Sequence, residues 1–509
     1  MSCPLSRAAA PLTLVLALSL GCEGEPRDFL GGGGTGPIGT TPAPRLAFRL
    51  GDIGDDQVSD LAVDAAGAVY ITGTFTGSVD FDPGSGLRVL TSFGGTDGFV
   101  AKYSTTNTLV WATRFGGSGE EAPRALAVEP GGDVLIAGWF EGTPDFDDGP
   151  GTAALTSAGA RDGFVAKLST TGTLAWVRRF GGTSADELVD VASSGGVVYA
   201  AGNFQGAADG SPGGTGSVGP PGLGQDLAIL TFESSGTARG AFLLGGPGDE
   251  RLSGIAVTGS TFFISGTFDA QLDFDSSAVV VAREAIGVRD GFLAAYTSTG
   301  VLQWLRTIGG TGEVSVTENG LSFGGGTVQL IGTFTGTVDL DSGSGVTGAQ
   351  SLGLEDVFVV RADASGGLTD AFTVGSTGSE APLRAAADGS DLLLAGTFTS
   401  PFDVDPGSGT TVLTPLGAIG GTETFVVRYT GSRQVVWAHG FGPSTPGTTA
   451  QTTPFGLATG LGGQVVFGGR FLGAMDVDPS SSIFALNSFG NGDGFVVRLT
   501  STGSLATAP

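Results

Sequence analysis

The chain is poor in the residues that most often carry chemistry. Of its 509 residues one is histidine, His439, two are cysteine, Cys3 and Cys22, and 23 are lysine or arginine. A single histidine excludes a histidine-rich zinc centre. Two cysteines near one end exclude a cysteine metal cluster and a disulfide scaffold. A Ser-His-Asp triad would have to use His439, which lies in the strand-like run WAHGFG and reads as an ordinary side chain. Against the 23 basic residues stand 50 acidic ones, a formal charge of −27. Such a field repels phosphate, which argues against nucleic acid or anionic lipid as partners. Beyond residue 22 there is no run of 18 apolar residues, so no later helical membrane span is expected. What is abundant is glycine, with 93 residues and no every-third-residue period, which excludes collagen. An apolar content of 40% with 33 phenylalanines excludes a disordered chain.

Residues 1–22 read MSCPLSRAAAPLTLVLALSLGC, with Arg7 followed by an apolar run from Pro11 to Leu20. That run is shorter than the ~20 residues a bilayer span needs. Its end, Ser19-Leu20-Gly21-Cys22, resembles a bacterial lipoprotein signal, with Ser19 standing where the usual pattern has leucine. The resemblance implies cleavage before Cys22 and lipid on its thiol. It also implies a place in the bacterial cell envelope, at the outer membrane or cell surface, with the lipid as the contact to membrane. Cleavage would remove Arg7 and take the charge from −27 to −28. An ordinary secretory signal is the alternative. Residues 23–44, rich in Gly, Pro and Thr, read as a flexible tether, and residues 45–509 as one domain, expected to be monomeric.

The domain is one repeat, seven times over. GTFTGSVDFDPG at Gly73 recurs, with variation, at Gly138, Gly202, Gly266, Gly332, Gly396 and Gly469, at spacings of 65, 64, 64, 66, 64 and 73. A second segment, DGFVAKY at Asp97, recurs at Asp162, Asp226, Asp290, Asp356, Glu423 and Asp493. Each unit reads as four strands with no helical 3.6 spacing. Four strands in about 65 residues bury too little alone, whereas seven such sheets packed face to face around an axis form a β-propeller. The expected fold is therefore all-β, a seven-bladed propeller of four-stranded antiparallel blades. Residues 45–51, RLAFRLG, match a fourth strand and precede the first full unit, so they are placed to close the ring. The tail at 504–507 competes for that place.

Trp111, Trp176, Trp304 and Trp437 each stand five residues before the glycine that ends a fourth strand. The other three copies carry Phe48, Phe242 and Phe372 two residues further on, the same strand face. This spacing predicts one large aromatic per blade in the inter-blade core, with sugar-stacking platforms as the other reading. The G-x-F-x-G-x-x-D-F-D-P-G and D-G-F-V-A-K segments resemble the seven-bladed β-propeller repeats of bacterial exported proteins, the SBBP repeats, over about residues 45–500. The resemblance implies the fold and an exported location, and brings no catalytic residue with it.

Blade topology sends the loop between strands two and three out on the same face as the link to the next blade, so the recurrent acids should crowd that face. Six pairs have i, i+2 spacing: Asp80/Asp82, Asp145/Asp147, Asp273/Asp275, Asp339/Asp341, Asp403/Asp405 and Asp476/Asp478. With the strand-three acids Asp97, Asp162, Asp290, Asp356 and Asp493 they offer three oxygen donors per blade to a hard cation such as Ca²⁺. The competing reading is turn formation, with the carboxylates accepting backbone N–H groups. Lys102, Lys167, Arg361, Arg428 and Arg498, five residues after the strand-three acid, read as solvated or paired with acids. The functional expectation is a non-enzymatic, lipid-anchored envelope scaffold that binds or displays a protein or glycan ligand. The alternative is a glycan-active enzyme using paired carboxylates. The near-identity of the acids from blade to blade weighs against one asymmetric active site.

Overall fold

The computed structural model describes residues 45–209, 217–218, 224–275, 279–341, 347–418 and 420–508. The expected signal at 1–22, with Cys22, and the expected tether at 23–44 lie outside the described residues. Blade one consists of strands Gln57–Val63, Val69–Phe75, Asp97–Tyr103 and Leu109–Phe115, paired antiparallel in that order. The same order recurs in blade two (121–180), blade three (187–244), blade four (250–310), blade five (314–374) and blade six (380–441). Blade seven takes three strands from 451–499 and its fourth from the other end of the chain, Ala47–Leu50. Seven four-stranded blades thus form the β-propeller that the repeat predicts.

Both chain ends build the closing strand. Ala47–Leu50 pairs antiparallel with 494–497, while Leu505 and Thr507 bridge to Leu499 and Arg45. The Leu46 amide donates to the Ala506 carbonyl at 2.8 Å. The two segments that compete for this place in the sequence therefore share it.

The core lies between blades. Each of the seven buried clusters draws its side chains from two neighbouring blades, as where Tyr70 and Val100 of blade one meet Ile136 and Phe164 of blade two. A four-stranded sheet has two apolar faces, and only ring packing covers both. The tryptophans stitch these seams. The indoles of Trp111, Trp176, Trp304 and Trp437 donate to the carbonyls of Thr170, Ser234, Ala364 and Ser501, each in the strand three–four turn of the following blade. A Cβ on Gly236, at φ +81°, would stand 2.6 Å from the Trp176 ring, so the turn beneath the indole requires glycine.

Candidate functional site

The paired aspartates build loops. In every pair the first carboxylate bridges two backbone amides: Asp80 Oδ1 accepts from Asp82 (3.1 Å) and Arg88 (2.9 Å), and Asp403 Oδ1 from Asp405 (3.0 Å) and Thr411 (2.7 Å). Asp145, Asp273, Asp339 and Asp476 accept in the same way from residues two and eight further on. The second acids differ among themselves. Asp82, Asp147, Asp405 and Asp478 each accept the amide two residues on. Asp341 turns its carboxylate to Arg306 of blade four, with Oδ1 at 3.1 Å from Nη1. Asp275 serves the loop through its backbone, donating its amide to Asp273 Oδ1 at 3.1 Å. The apolar residue between the two acids, Phe81 in blade one, is buried, and the Tyr103 hydroxyl donates to its carbonyl at 2.9 Å. The loop also straps one blade to the next, since Asp145 and Gly116 exchange backbone hydrogen bonds of 3.0 and 3.1 Å.

The strand-three acids sit elsewhere. Asp97, Asp162, Asp226, Asp290, Asp356, Glu423 and Asp493 are buried where strand three begins. Asp97, Asp162, Asp290, Asp356 and Asp493 each accept the amide four residues back. Five meet a second buried acid from the link to the next blade: Asp97 with Glu121, Asp162 with Asp186, Asp226 with Glu250, Asp356 with Glu380 and Asp493 with Asp56. A Cβ on Gly181 would lie 2.9 Å from Asp186 Oδ2 and 3.0 Å from Asp162 Oδ1, so the glycine that ends strand four makes room for the pair. Burial pushes Glu121 up to about 8, with Asp97 adding to it. Burial and then Asp226 do the same for Glu250.

The loop acids and the strand-three acids thus take separate partners. Among the described residues the acids do not gather into a group of three or more placed to hold a metal ion. The loop turns the first acid of each pair onto its own amides, while the strand-three acid is drawn under the link to the next blade.

Of the two expected states, solvated or paired with acids, four of the strand-three basic residues take the second: Lys102 with Asp64, Lys167 with Glu129 and Asp133, Arg361 with Asp370, and Arg428 with Asp388 and Asp391. Most also clamp blades together. Arg498 of blade seven is 1% exposed and donates to Gly67 O (3.0 Å), Ser104 O (2.7 Å) and Asn107 Oδ1 (2.9 Å) of blade one. Arg361 and Arg428 reach the carbonyls of Gly431 and Gly463 one blade on, and Lys167 reaches Ser234. Lys102 stays with Asp64 at 3.6 Å, over the Tyr70 ring. His439 is half-buried and stacked on Trp437, with burial holding its pKa below the ordinary value.

One arrangement escaped the sequence reading. The first strand of every blade surrounds the axis, and in each the register slips at the same place: after Val58, Pro123, Leu188, Leu252, Val316, Pro382 and Pro454. Such a β-bulge adds a residue to one strand and re-aims its side chain. The bulged residues vary from blade to blade: serine in blades one and four (Ser59 and Ser253), then Arg124, Val189, Leu383 and Phe455, with the longer segment Thr317–Gly320 in blade five. All but Val189, Asn319 and Gly320 line one cavity of about 630 Å³ at the axis. Blade five supplies part of its wall across the ring, where Asn319 Nδ2 donates to the Arg124 carbonyl at 3.4 Å. Arg384 lies buried beside it, donating to the carbonyls of Glu318 (3.0 Å) and Ser59 (3.1 Å). Asp60 and Asp190 share its surroundings. Burial raises them to about 6 and about 7, while Arg384 pulls the other way.

Charges of both signs line the cavity. Arg124 faces Glu318 at 4.0 Å, Arg289 faces Glu313 at 3.6 Å, and Glu187 is held by Arg161 at 3.1 Å. Arg251 and Glu355, also in the lining, form no ion pair among the described residues.

No protein-family profile matches the chain. A regulatory protein of Caulobacter vibrioides, FlaEY, is 25% identical over 437 residues, which is 78% of this chain and 43% of that protein's length. Among solved structures, a lignostilbene dioxygenase of Pseudomonas brassicacearum has a TM-score of 0.38 and 12% identity, covering 89% of this chain and 96% of its own. A Synechocystis apocarotenoid oxygenase has a TM-score of 0.38 and 8% identity, over 88% and 96%. The extracellular region of plexin A4 has a TM-score of 0.38 and 9% identity, over 83% and 46%. Scores at this level carry no argument about activity.

Proposed function

We propose that this chain is a non-enzymatic binding scaffold of the bacterial envelope, lipid-anchored at Cys22, and that it takes its ligand in the axial cavity. The observation that carries this reading is the contrast between repeated and unrepeated positions. The loop aspartates and the seam tryptophans recur from blade to blade and are engaged within the fold. The seven bulges occupy equivalent places yet vary in side chain, with only serine repeated, in blades one and four, and six of them reach one cavity. Its volume, about 630 Å³, falls in the range of about 300–1,000 Å³ typical of small-molecule sites. The regulatory name of the Caulobacter relative accords with binding rather than turnover. The test is a screen of the full chain against glycan and peptide libraries, with photo-crosslinking of any saturable ligand. Crosslinks should fall on first-strand peptides such as 121–128 and 314–324. Crosslinks confined to the strand two–three loops would refute the axial site. Mass spectrometry of the mature N-terminus tests lipid at Cys22.

A further inference from the structure

We infer that the axial cavity is built for a small zwitterion, a short peptide with a free ammonium and a free carboxylate. This rests on the reading of the cavity as the ligand site. Most charged side chains in the lining are already matched. Arg124 and Glu318 face each other, Arg289 and Glu313 do so, Glu187 is held by Arg161, and Arg384 is engaged by backbone carbonyls. Among the described residues one charge of each sign is left over and exposed: Arg251 at the start of the first strand of blade four, and Glu355 just before the third strand of blade five. A guanidinium is the natural partner of a carboxylate, and a carboxylate that of an ammonium.

The field of the whole molecule selects among ligands. A simple anion could satisfy Arg251 but would have to approach a chain of charge −27. A simple cation would be drawn in and would leave Arg251 unmatched. A zwitterion carries no net charge to be repelled and satisfies both side chains. The rest of the wall suits peptide groups. Ser315, Thr333 and Thr335 offer hydroxyls, Ser253 and Thr317 donate to the carbonyls of Val316 and Pro382 and keep acceptor capacity for a ligand, and Phe455 offers an apolar surface. The size of the cavity favours a short peptide over a single amino acid.

The probe is trialanine, titrated calorimetrically into the full chain in three forms: free at both ends, N-acetylated, and C-amidated. Arg251→Gln and Glu355→Gln are tested beside the wild type. Both side chains are exposed, so neither change disturbs the core. The free peptide should bind saturably. Blocking either end should weaken it about tenfold or more, the scale of one lost charge-assisted hydrogen bond. Amidation should cost nothing further in Arg251→Gln, and acetylation nothing further in Glu355→Gln. Equal binding of the three forms, or binding by none, overturns the zwitterion. A chitotriose titration run in parallel separates the two levels. Chitotriose binding that an Arg124→Ala variant loses, with trialanine failing to bind, would keep the cavity as a ligand site while rejecting the zwitterion. Absence of binding by every probe rejects the zwitterion and leaves the cavity to the library screen.

Discussion

The backbone amide of Leu46 donates to the carbonyl of Ala506 at 2.8 Å, so segments from the two ends of the chain meet within a single blade. Ring closure is therefore shared. Residues 46–50 carry the buried Phe48 and Leu50, and the tail carries the buried Ala506. Deleting 45–51 should cost several kcal/mol, because a ladder of hydrogen bonds and two large apolar side chains are lost together. Deleting 504–509 should cost less, ~1–3 kcal/mol. Denaturant melts of the two truncations check the order. A tail deletion as damaging as the N-terminal one would contradict this division of the closing strand.

Arg498 joins blade seven to blade one with three hydrogen bonds from a side chain 1% exposed. Arg498→Met should cost ~3 kcal/mol or more, because the carbonyls of Gly67 and Ser104 would lose their partner beneath the surface. Lysine cannot span three acceptors with one fork, so Arg498→Lys should recover only part of the loss. Equilibrium unfolding of the two variants measures both effects.

The buried acid pairs give stability a particular pH dependence. The folded-state pKa values of Glu121 and Glu250 are raised to about 8, chiefly by burial and next by the neighbouring aspartate. Between the ordinary carboxylate range and pH 8 the folded chain thus holds more protons than the unfolded one, and stability falls as pH rises. The melting temperature should be higher at pH 5 than at pH 8. Glu250→Gln keeps an acceptor for the Gly246 amide and removes the titration, so it should raise stability at pH 8 and flatten the slope. An unchanged slope in that variant would show that Glu250 is already ionised in the fold over this range.

The loop aspartates set up a comparison of salts. Asp80→Asn retains an oxygen for the Asp82 and Arg88 amides but weakens both bonds, and should cost ~1 kcal/mol. Ca²⁺ and NaCl at equal ionic strength should raise the melting temperature alike if the pairs serve only as turn formers. A calcium advantage that Asp80→Asn reduces would restore the cation reading.

The architecture was legible because repetition made it so. Seven copies of one segment announced seven blades, and the phase of residues 45–51 announced the closing strand. The tryptophan face was readable because its spacing to the terminal glycine is constant. The axial bulges were not readable from alternation. A single extra residue, such as Ser59 between Val58 and Asp60, leaves the apolar pattern nearly intact. Two signals did exist. Pro123, Pro382 and Pro454 fall inside strand-like runs, and proline there marks a bulge or an edge. The spacing of 66 before Gly332 carries the longer segment of blade five. The burial of the strand-three acids was unreadable for a related reason. Spacing put the strand-three acids beside the loop, whereas their burial follows from the next blade's link closing over them. The i, i+2 repeat also made Asp341 look equivalent to Asp82, although Asp341 engages Arg306 and Asp82 engages the Gly84 amide.

The proposed ligand site lies on the axis and the repeated acids lie in the loops, so one competition measurement separates the two. Saturable ligands found for the full chain are retested against an axial variant, Arg124→Ala with Phe455→Ala, and a loop variant, Asp147→Asn with Asp405→Asn. Binding should be lost in the axial variant and kept in the loop variant. Binding kept in the axial variant and lost in the loop variant would move the site to the acidic loops and contradict the account.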